Sequence, residues 1–257
     1  MKTNFRTHTT RCMHATGTDE QYVKAALKGG FDVLGFADHA PWFFPSGHVS
    51  HCRMPAALWG DYKASVLQLK EKYADRIQIR LGAECEYYPA YLDQLRRLRD
   101  NGFEYFILAC HFLDTEETNP YTGHSCRDDD EVRRYADAVI KGIESGLYCY
   151  LAHPDLYMMS RPAFDKVSME AADLICQAAK EYSMPIEYNL LGLHDALRGH
   201  PRGYPCHDFW QYVRRWENDV IIGVDAHDPS MLSDQRLWDT AMNNVRDLGC
   251  HIVTDWK

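Results

Sequence analysis

Residues 220–227 read VIIGVDAH, an apolar, β-branched run that closes on Asp225 and His227. The side chains of Asp225 and His227 share one strand face, because alternate residues of a strand point the same way. Other runs of the chain have the same form, and each is followed by a segment of helical period. They are TNFRTH (3–8), DVLGFADH (32–39), IQIRLGAECEY (77–87), YFILACHF (105–112), CYLAHPD (149–155) and PIEYNL (185–190).

The segments between these runs are predicted to be helices. They cover residues 19–28, 56–73, 90–101, 129–145, 168–182, 207–216 and 231–248. The first helix has a capping box, in which Thr18 is followed three residues later by Gln21. The last segment, CHIVTDW (250–256), is predicted to add a short closing strand.

Alternating strand and helix units predict parallel strands, either in an open doubly wound sheet or in a barrel. No Gly-rich phosphate loop follows the first run, so the dinucleotide-binding sheet lacks its signature. In a barrel, the carboxyl ends of the strands converge on one face. The runs end there on potential metal ligands: His8, His39, Glu84, His111, His153, Asn189 and the pair Asp225 and His227. We therefore predict one α/β barrel domain over residues 1–257, with a metal site at this face.

Composition narrows the class of protein further. The net charge of −9 argues against a nucleic-acid binder, which would need a basic face. The chain has no apolar run long enough to span a membrane, and its nine cysteines form no Cys-x-x-Cys pair. We predict a cytoplasmic protein with reduced thiols and no membrane or nucleic-acid partner. The potential metal ligands at the strand ends are imidazoles and carboxylates, and this combination suits Zn, Fe or Mn.

The motifs, taken in order, resemble those of the polymerase and histidinol phosphatase (PHP) superfamily, and most closely its histidinol-phosphate phosphatase branch. The resemblance extends over essentially the whole chain. Its motifs are RTHTTRCMHATG (6–17), GFADHAPW (35–42), GAECEYY (82–88), HFLDT (111–115), LAHPDLYM (151–158), EYNLLGL (187–193) and GVDAHDP (223–229). It implies a distorted (β/α)7 TIM-like barrel with a centre of two to three divalent metal ions.

The resemblance also implies how the ligands are shared. One metal would use position 6 with His8, Glu84 and Asp225. A second would share Glu84 and add His111 and His153, and a third would take His14, His39 and His227. Glu84, Asp225 and His227 are the residues implied to be catalytic.

Position 6 is where this chain departs from the pattern, because it carries Arg6 where the family has histidine. A guanidinium has no lone pair for a metal and stays charged at any accessible pH. Arg6 shares a strand face with His8, so we expect it to point into the site. It then either displaces the first metal by pairing with Asp225 or Glu84, or it swings aside and leaves the metal in place; we favour displacement because like charges repel strongly in a partly buried site.

The expected activity is hydrolysis of L-histidinol phosphate, a small phosphorylated substrate. Arginine forks are expected to orient the phosphate, and the resemblance suggests Arg161 and Arg198, with Arg202 as an alternative. Arg6 is a further candidate for phosphate binding. Two other functions stay open at this point: hydrolysis of another phosphomonoester, such as a nucleotide or a DNA end, and ligand binding by a metal-depleted barrel. The sequence leaves the oligomeric state open.

Overall fold

The computed structural model describes residues 1–256, whose eight parallel strands form one sheet in chain order, β1 to β8. The strands are β1 (Thr3–Asn4), β2 (Val33–His39), β3 (Gln78–Glu86), β4 (Tyr105–Ala109), β5 (Tyr150–Leu151), β6 (Ile186–Asn189), β7 (Asp219–Gly223) and β8 (His251–Val253). Each strand is parallel to the next, so all the carboxyl ends lie at the same edge of the sheet.

The sheet curls until its first strand meets its seventh. Thr7, just beyond β1, forms a parallel bridge with Ala226, just beyond β7. The backbone N–H of His8 donates to the Ala226 carbonyl at 3.0 Å. Strand β8 pairs with the amino-terminal half of β7, and the Thr3 hydroxyl donates to the Thr254 carbonyl beside it at 2.8 Å. Seven strands therefore close the carboxyl end of the barrel and an eighth strand supports the amino end, which confirms the predicted barrel and its closing strand.

Helices connect the strands and cover the outside of the sheet. They are α1 (Asp19–Lys28), α2 (Trp59–Lys72), α3 (Leu92–Asp100), α4 (Thr122–Ser125), α5 (Asp129–Glu144), α6 (Lys166–Glu181), α7 (Leu190–Leu197), α8 (His207–Arg215), α9 (Ser230–Ser233) and α10 (Gln235–Asp247). The predicted capping box is present at α1, where Thr18 and Gln21 exchange hydrogen bonds.

Two helical segments differ from the sequence prediction. The predicted helix over residues 231–248 is divided at Asp234, whose side chain accepts a hydrogen bond from the Leu237 N–H and so starts α10 separately. Helix α7 was not predicted. Asn189 caps it by accepting from the Gly192 N–H at 2.9 Å, so the residue that ends β6 also begins a helix.

Inward side chains fill the amino end of the barrel with an apolar cluster separate from the larger core under the helices. Phe5, Tyr105 and Trp256 meet there, with ring centroids 4.5 to 6.0 Å apart. Gly35 and Gly82 make room for Tyr105, because a Cβ at either position would lie within 2.3 Å of that side chain. The barrel is therefore a packed core below the site, and not a channel.

Gly223 makes room for a charged side chain near the carboxyl end of the barrel. A Cβ at this position would lie 1.9 Å from the Glu187 Oε1 atom. The glycine on β7 therefore admits the carboxylate of its neighbour β6 into the middle of the barrel.

No helix within residues 1–256 is both long enough and apolar enough to cross a membrane.

Candidate metal centre

A cavity of about 570 Å³ opens at the carboxyl end of the barrel. Its floor contains five predicted ligands from four of the strand ends: His39, His111, His153, Asp225 and His227. Aromatic and polar residues that follow the strands form its wall, among them His51, Tyr121, Arg202 and Tyr204. The topology thus brings together residues from both ends of the sequence, as predicted for a parallel barrel.

Imidazoles form a continuous row across the floor of the cavity. The rings of His14 and His227 are stacked 4.7 Å apart, and His227 stacks on His8 at 4.0 Å. His39 lies 4.5 Å from His8, and the row continues through His111 to His153 with spacings of 5.1 and 4.9 Å. All eight predicted metal ligands therefore meet at this end of the barrel, with His14 exposed at the rim.

Glu84 occupies the middle of the site and is 1% exposed. Its Oε2 atom lies 3.2 Å from His8 Nε2 and 3.5 Å from His39 Nδ1. Its Oε1 atom lies 3.3 Å from His111 Nε2 and 3.4 Å from His153 Nε2. One carboxylate therefore faces two groups of imidazoles, which is the position of a bridging ligand.

Arg6 is buried among the carboxylates of this site, with 1% of the residue exposed. Its Nη2 atom lies 2.5 Å from Glu84 Oε1 and its Nη1 atom donates to Glu187 Oε2 at 2.8 Å. The Nε atom lies 3.2 Å from Glu84 Oε2 and 3.4 Å from Asp225 Oδ1. Arg6 thus points into the site and pairs with both carboxylates that the sequence predicted, and with Glu187 in addition.

Burial and the positive charge of Arg6 together shift the pKa values of the neighbouring side chains. Burial opposes ionisation of Glu84 and Asp225, yet the guanidinium keeps the pKa of both carboxyls well below the usual range. Burial raises the pKa of Glu187 despite the same neighbour. Burial and then the Arg6 charge lower the pKa of His153 to about 4, so its imidazole is neutral at pH 7.

Backbone geometry turns two of these side chains toward the cavity. Asp225 has φ +52° and His153 has φ +24°, values that are uncommon for residues with a Cβ. Such conformations cost free energy and persist only where the surroundings impose them, often at functional sites. Each residue lies two positions beyond a strand end, where the regular alternation of the strand has stopped.

A layer of charged residues outside the cavity orients His111. The Nδ1 atom of His111 lies 2.9 Å from Glu86 Oε1, and Arg53 donates to both Glu86 oxygens at 3.0 and 2.9 Å. Although burial acts in the opposite direction, Arg53 and His111 lower the pKa of Glu86 to about 2. The ionised carboxylate therefore accepts a hydrogen bond from His111 Nδ1 and orients the ring, so that Nε2 faces Glu84 and His153.

The imidazole side of the site fits a divalent metal. Within residues 1–256, several buried ligand atoms lack a hydrogen-bond partner, including His8 Nε2, His39 Nδ1 and His227 Nε2. His8, His39 and His227 present ligand atoms within 4.8 Å of one another, and so do His39, Glu84 and His111. Burial lowers the pKa of His227 to about 3, so this imidazole is in its neutral, metal-binding form.

The arginines predicted to bind phosphate lie in different environments. Arg161 does not line the cavity: it donates to the Arg127 carbonyl and pairs with Asp129 and Asp165. Arg198 is exposed and contacts His194 on its own helical segment. Arg202, the alternative, does line the cavity mouth and pairs with Asp195. Ion pairs therefore hold Arg161 outside this cavity, whereas Arg202 lines it.

Sequence reasoning missed three further residues of the site. Glu187 contacts Arg6, and Cys12 and Asp38 belong to ligand groups with His14 or His8. The signal for Glu187 was its spacing, since it lies two residues before Asn189 and shares that strand face. Asp38 directly precedes a predicted ligand and Cys12 lies two residues before one, but nothing local in the sequence separates these residues from ordinary core positions.

Comparison with known proteins gives the family. Residues 4–190 match the PHP domain family. A protein of Bacillus subtilis named "Histidinol-phosphatase" is 31% identical over 252 residues, covering 86% of this chain and 91% of the relative. A protein of Deinococcus radiodurans named "Probable histidinol-phosphatase" is 26% identical over 259 residues, covering 96% of this chain and 94% of the relative.

A solved structure shares the fold. The histidinol phosphate phosphatase of Lactococcus lactis, complexed with Zn, L-histidinol and phosphate, superimposes with a TM-score of 0.76. The alignment covers 100% of this chain and 97% of that chain at 18% sequence identity. At this identity the likeness bears on the fold alone.

Proposed function

The chain belongs to the PHP domain family, and we propose that it is a metal-dependent phosphatase that hydrolyses L-histidinol phosphate and water to L-histidinol and phosphate. The observation that carries this proposal is a converged set of imidazoles and carboxylates in a chain that matches histidinol-phosphatases over nearly its full length. We propose His8, His14, His39, Glu84, His111, His153, Asp225 and His227 as the residues that hold divalent metal, from the group Zn, Fe and Mn.

Phosphate esters hydrolyse slowly because the phosphoryl group is negatively charged and because water is a poor nucleophile. A divalent metal ion addresses both obstacles. A divalent ion at this site would neutralise phosphoryl oxygens and lower the pKa of water toward about 7. The protein supplies the neutral imidazoles of His153 and His227 and the ionised carboxylate of Glu84, and burial fixes these side chains in place. Because the histidines are assigned to metal binding, we expect no phosphorylated enzyme intermediate.

Substrate orientation falls to the cavity wall. Arg202 lies in this wall, and a guanidinium fork suits a phosphate. Tyr121 and Tyr204 provide aromatic faces, which suit a flat imidazole ring. Arg161 and Arg198 remain proposals for phosphate binding, but binding through either would require it to leave its present partners.

Release of phosphate from a panel of substrates tests this function. The panel contains L-histidinol phosphate, nucleoside monophosphates and short 5′-phosphorylated oligonucleotides, each assayed with Zn²⁺ or Mn²⁺ and with chelator. We expect the highest kcat/KM for L-histidinol phosphate and loss of turnover in the chelator. Preference for a nucleotide or oligonucleotide would replace the proposed substrate, and full turnover in chelator would refute the metal-dependent mechanism.

A further inference from the structure

We propose that the Arg6 guanidinium occupies a cation position of the centre, so that this chain binds metal only on the imidazole side, at His8, His39 and His227. This inference rests on the proposed metal-dependent function and narrows it, because the proposed ligands that contact Arg6, namely Glu84, His153 and Asp225, hold the guanidinium in this chain in place of a metal ion. It concerns the number of metal ions and the residue that replaces one of them.

The first argument is the set of atoms around the guanidinium. Glu84, Glu187 and Asp225 surround it with carboxylate oxygens at 2.5 to 3.4 Å. His153 adds its Nε2 atom at 2.9 Å from Arg6 Nη2. Carboxylate oxygens and imidazole nitrogens are the ligand atoms of a divalent metal, but here their lone pairs meet N–H groups.

The second argument is that potential metal-ligand atoms converge around Arg6 Nη2. His111 Nε2 is 3.1 Å from His153 Nε2 and 3.3 Å from Glu84 Oε1. Arg6 Nη2 lies 2.5 Å from the same Glu84 oxygen and 2.9 Å from the same His153 nitrogen, so the guanidinium is the cation at this point of convergence.

The third argument is electrostatic. Arg6 is 1% exposed, so little water screens its charge, and a divalent ion bound to the same Glu84 oxygens would be strongly repelled. The guanidinium is also fixed by its contacts to Glu187, which Gly223 admits into the barrel. Rotation of Arg6 out of the site would leave three carboxylates together in a buried space without compensation.

The Glu84 and Asp225 carboxylates lie between Arg6 and the imidazole side and offset the guanidinium charge there. His8, His39 and His227 direct ligand atoms toward one another, and the hydrogen bonds and ion pairs of Arg6 within the described chain involve none of these residues. The site therefore divides into a part compensated by the guanidinium and a part that has free lone pairs for metal.

Metal stoichiometry tests the inference without reference to turnover. Wild type, Arg6→His and Arg80→His are equilibrated with Zn²⁺, freed of excess metal by gel filtration, and analysed for zinc per chain by mass spectrometry. Arg80 is a matched control because it also pairs with a carboxylate, Asp255, but at the amino end of β3. We expect Arg6→His to bind about one more zinc ion per chain than wild type, and Arg80→His to match wild type. Equal zinc content in wild type and Arg6→His would overturn the inference.

Anomalous scattering from zinc-soaked wild-type crystals provides a second test that needs no variant. We expect zinc only among His8, His39 and His227. A zinc ion bonded to Glu84 at about 2.0–2.2 Å, with Arg6 turned away, would overturn the inference even if Arg6→His failed to fold. A change of substrate in the phosphatase panel would revise the proposed function and leave this result unaffected, because zinc content is measured without substrate.

Discussion

The amino and carboxyl ends of the barrel interior are lined by the same strands but are packed in opposite ways. At the amino end, Phe5, Tyr105 and Trp256 fill the space, and the Tyr105 hydroxyl donates to the carbonyls of Phe5 and Phe36 at 2.6 and 3.1 Å. At the carboxyl end, buried nitrogen and oxygen atoms lack partners in the described chain. The comparison indicates that packing at the amino end of the barrel stabilises the fold, whereas the carboxyl end keeps polar atoms free for ligands.

Glu84→Ala should have the largest effect, because Glu84 serves both groups of imidazoles and Arg6 at once. Its loss leaves the Arg6 charge without this carboxylate beside the proposed zinc site, so we expect zinc content to fall and kcat/KM for L-histidinol phosphate to fall by about three orders of magnitude. Zinc analysis and phosphate release measure the two effects, and Glu144→Ala on the exposed surface of α5 is the control. If Glu84→Ala kept the zinc content and turnover of wild type, the carboxyl end of the barrel would not be the metal site that distinguishes it from the amino end.

Glu86→Gln, combined with Arg6→His, should weaken binding of the additional zinc ion without removing a ligand, because His111 is a proposed ligand of that ion. The Glu86 substitution loses the charged acceptor that orients His111, and such changes behind a ligand lower metal affinity by about 10- to 100-fold. A chelator competition titration with Zn²⁺ measures the affinity. Glu116→Gln, also combined with Arg6→His, is the matched control, because Glu116 also pairs with Arg53 but within residues 1–256 forms no ion pair with any of the eight proposed ligands. Equal losses in both variants would mean that Arg53 packing, and not His111 orientation, is responsible.

Arg202→Ala should impair phosphate recognition more than alanine at Arg161 or Arg198, because only Arg202 of these three lines the cavity. A charge-assisted hydrogen bond contributes about 1.5–3 kcal/mol, so we expect kcat/KM to fall by about tenfold or more. Steady-state kinetics and inhibition by inorganic phosphate measure this effect, and zinc content should stay unchanged. A larger loss in Arg161→Ala or Arg198→Ala would show that the loops rearrange when phosphate binds.

Tyr105→Phe should leave the carboxyl end unaffected. The variant removes two hydrogen bonds in the amino-end cluster, and we expect the free energy of unfolding to fall by about 1 kcal/mol. Urea denaturation measures the stability, and kcat/KM should match that of wild type. A loss of kcat/KM comparable to that of Arg202→Ala would show that the two ends are coupled through the barrel.

Much of the candidate site could be predicted because its signals are local. The residue that ends a strand is fixed by the length of an apolar run, and the shared face of Arg6 and His8 follows from the strand period. The contact between Arg6 and Glu187 could not be predicted in this way. It depends on how β1 and β6 face each other inside the barrel, and on Gly223 of β7 making the necessary space.

The positions of loop side chains relative to the cavity could not be predicted from the sequence either. Arg161 and Arg202 are both loop arginines in the sequence, and only the folded chain shows that Asp129 and Asp165 hold the first one away from the cavity. The division of the last predicted helix at Asp234 has a similar cause. Helical periodicity continues across this position, whereas the local capping bond to the Leu237 N–H is visible only in the structure.

The closure of the barrel between its first and seventh strands has a consequence for the order in which the protein is made. The Val224 N–H donates to the Asn4 side chain at 2.9 Å, and these two residues are 220 positions apart. Arg6 and His8 therefore leave the ribosome long before Asp225 and His227 are synthesised, and contacts between such distant segments form late in folding. A nascent chain that ends before β7 has six strands but lacks the carboxylate and imidazole that complete the centre. Zinc retention by ribosome-arrested chains of increasing length should accordingly rise only once residue 227 has emerged, which ties the acquisition of metal to the end of translation.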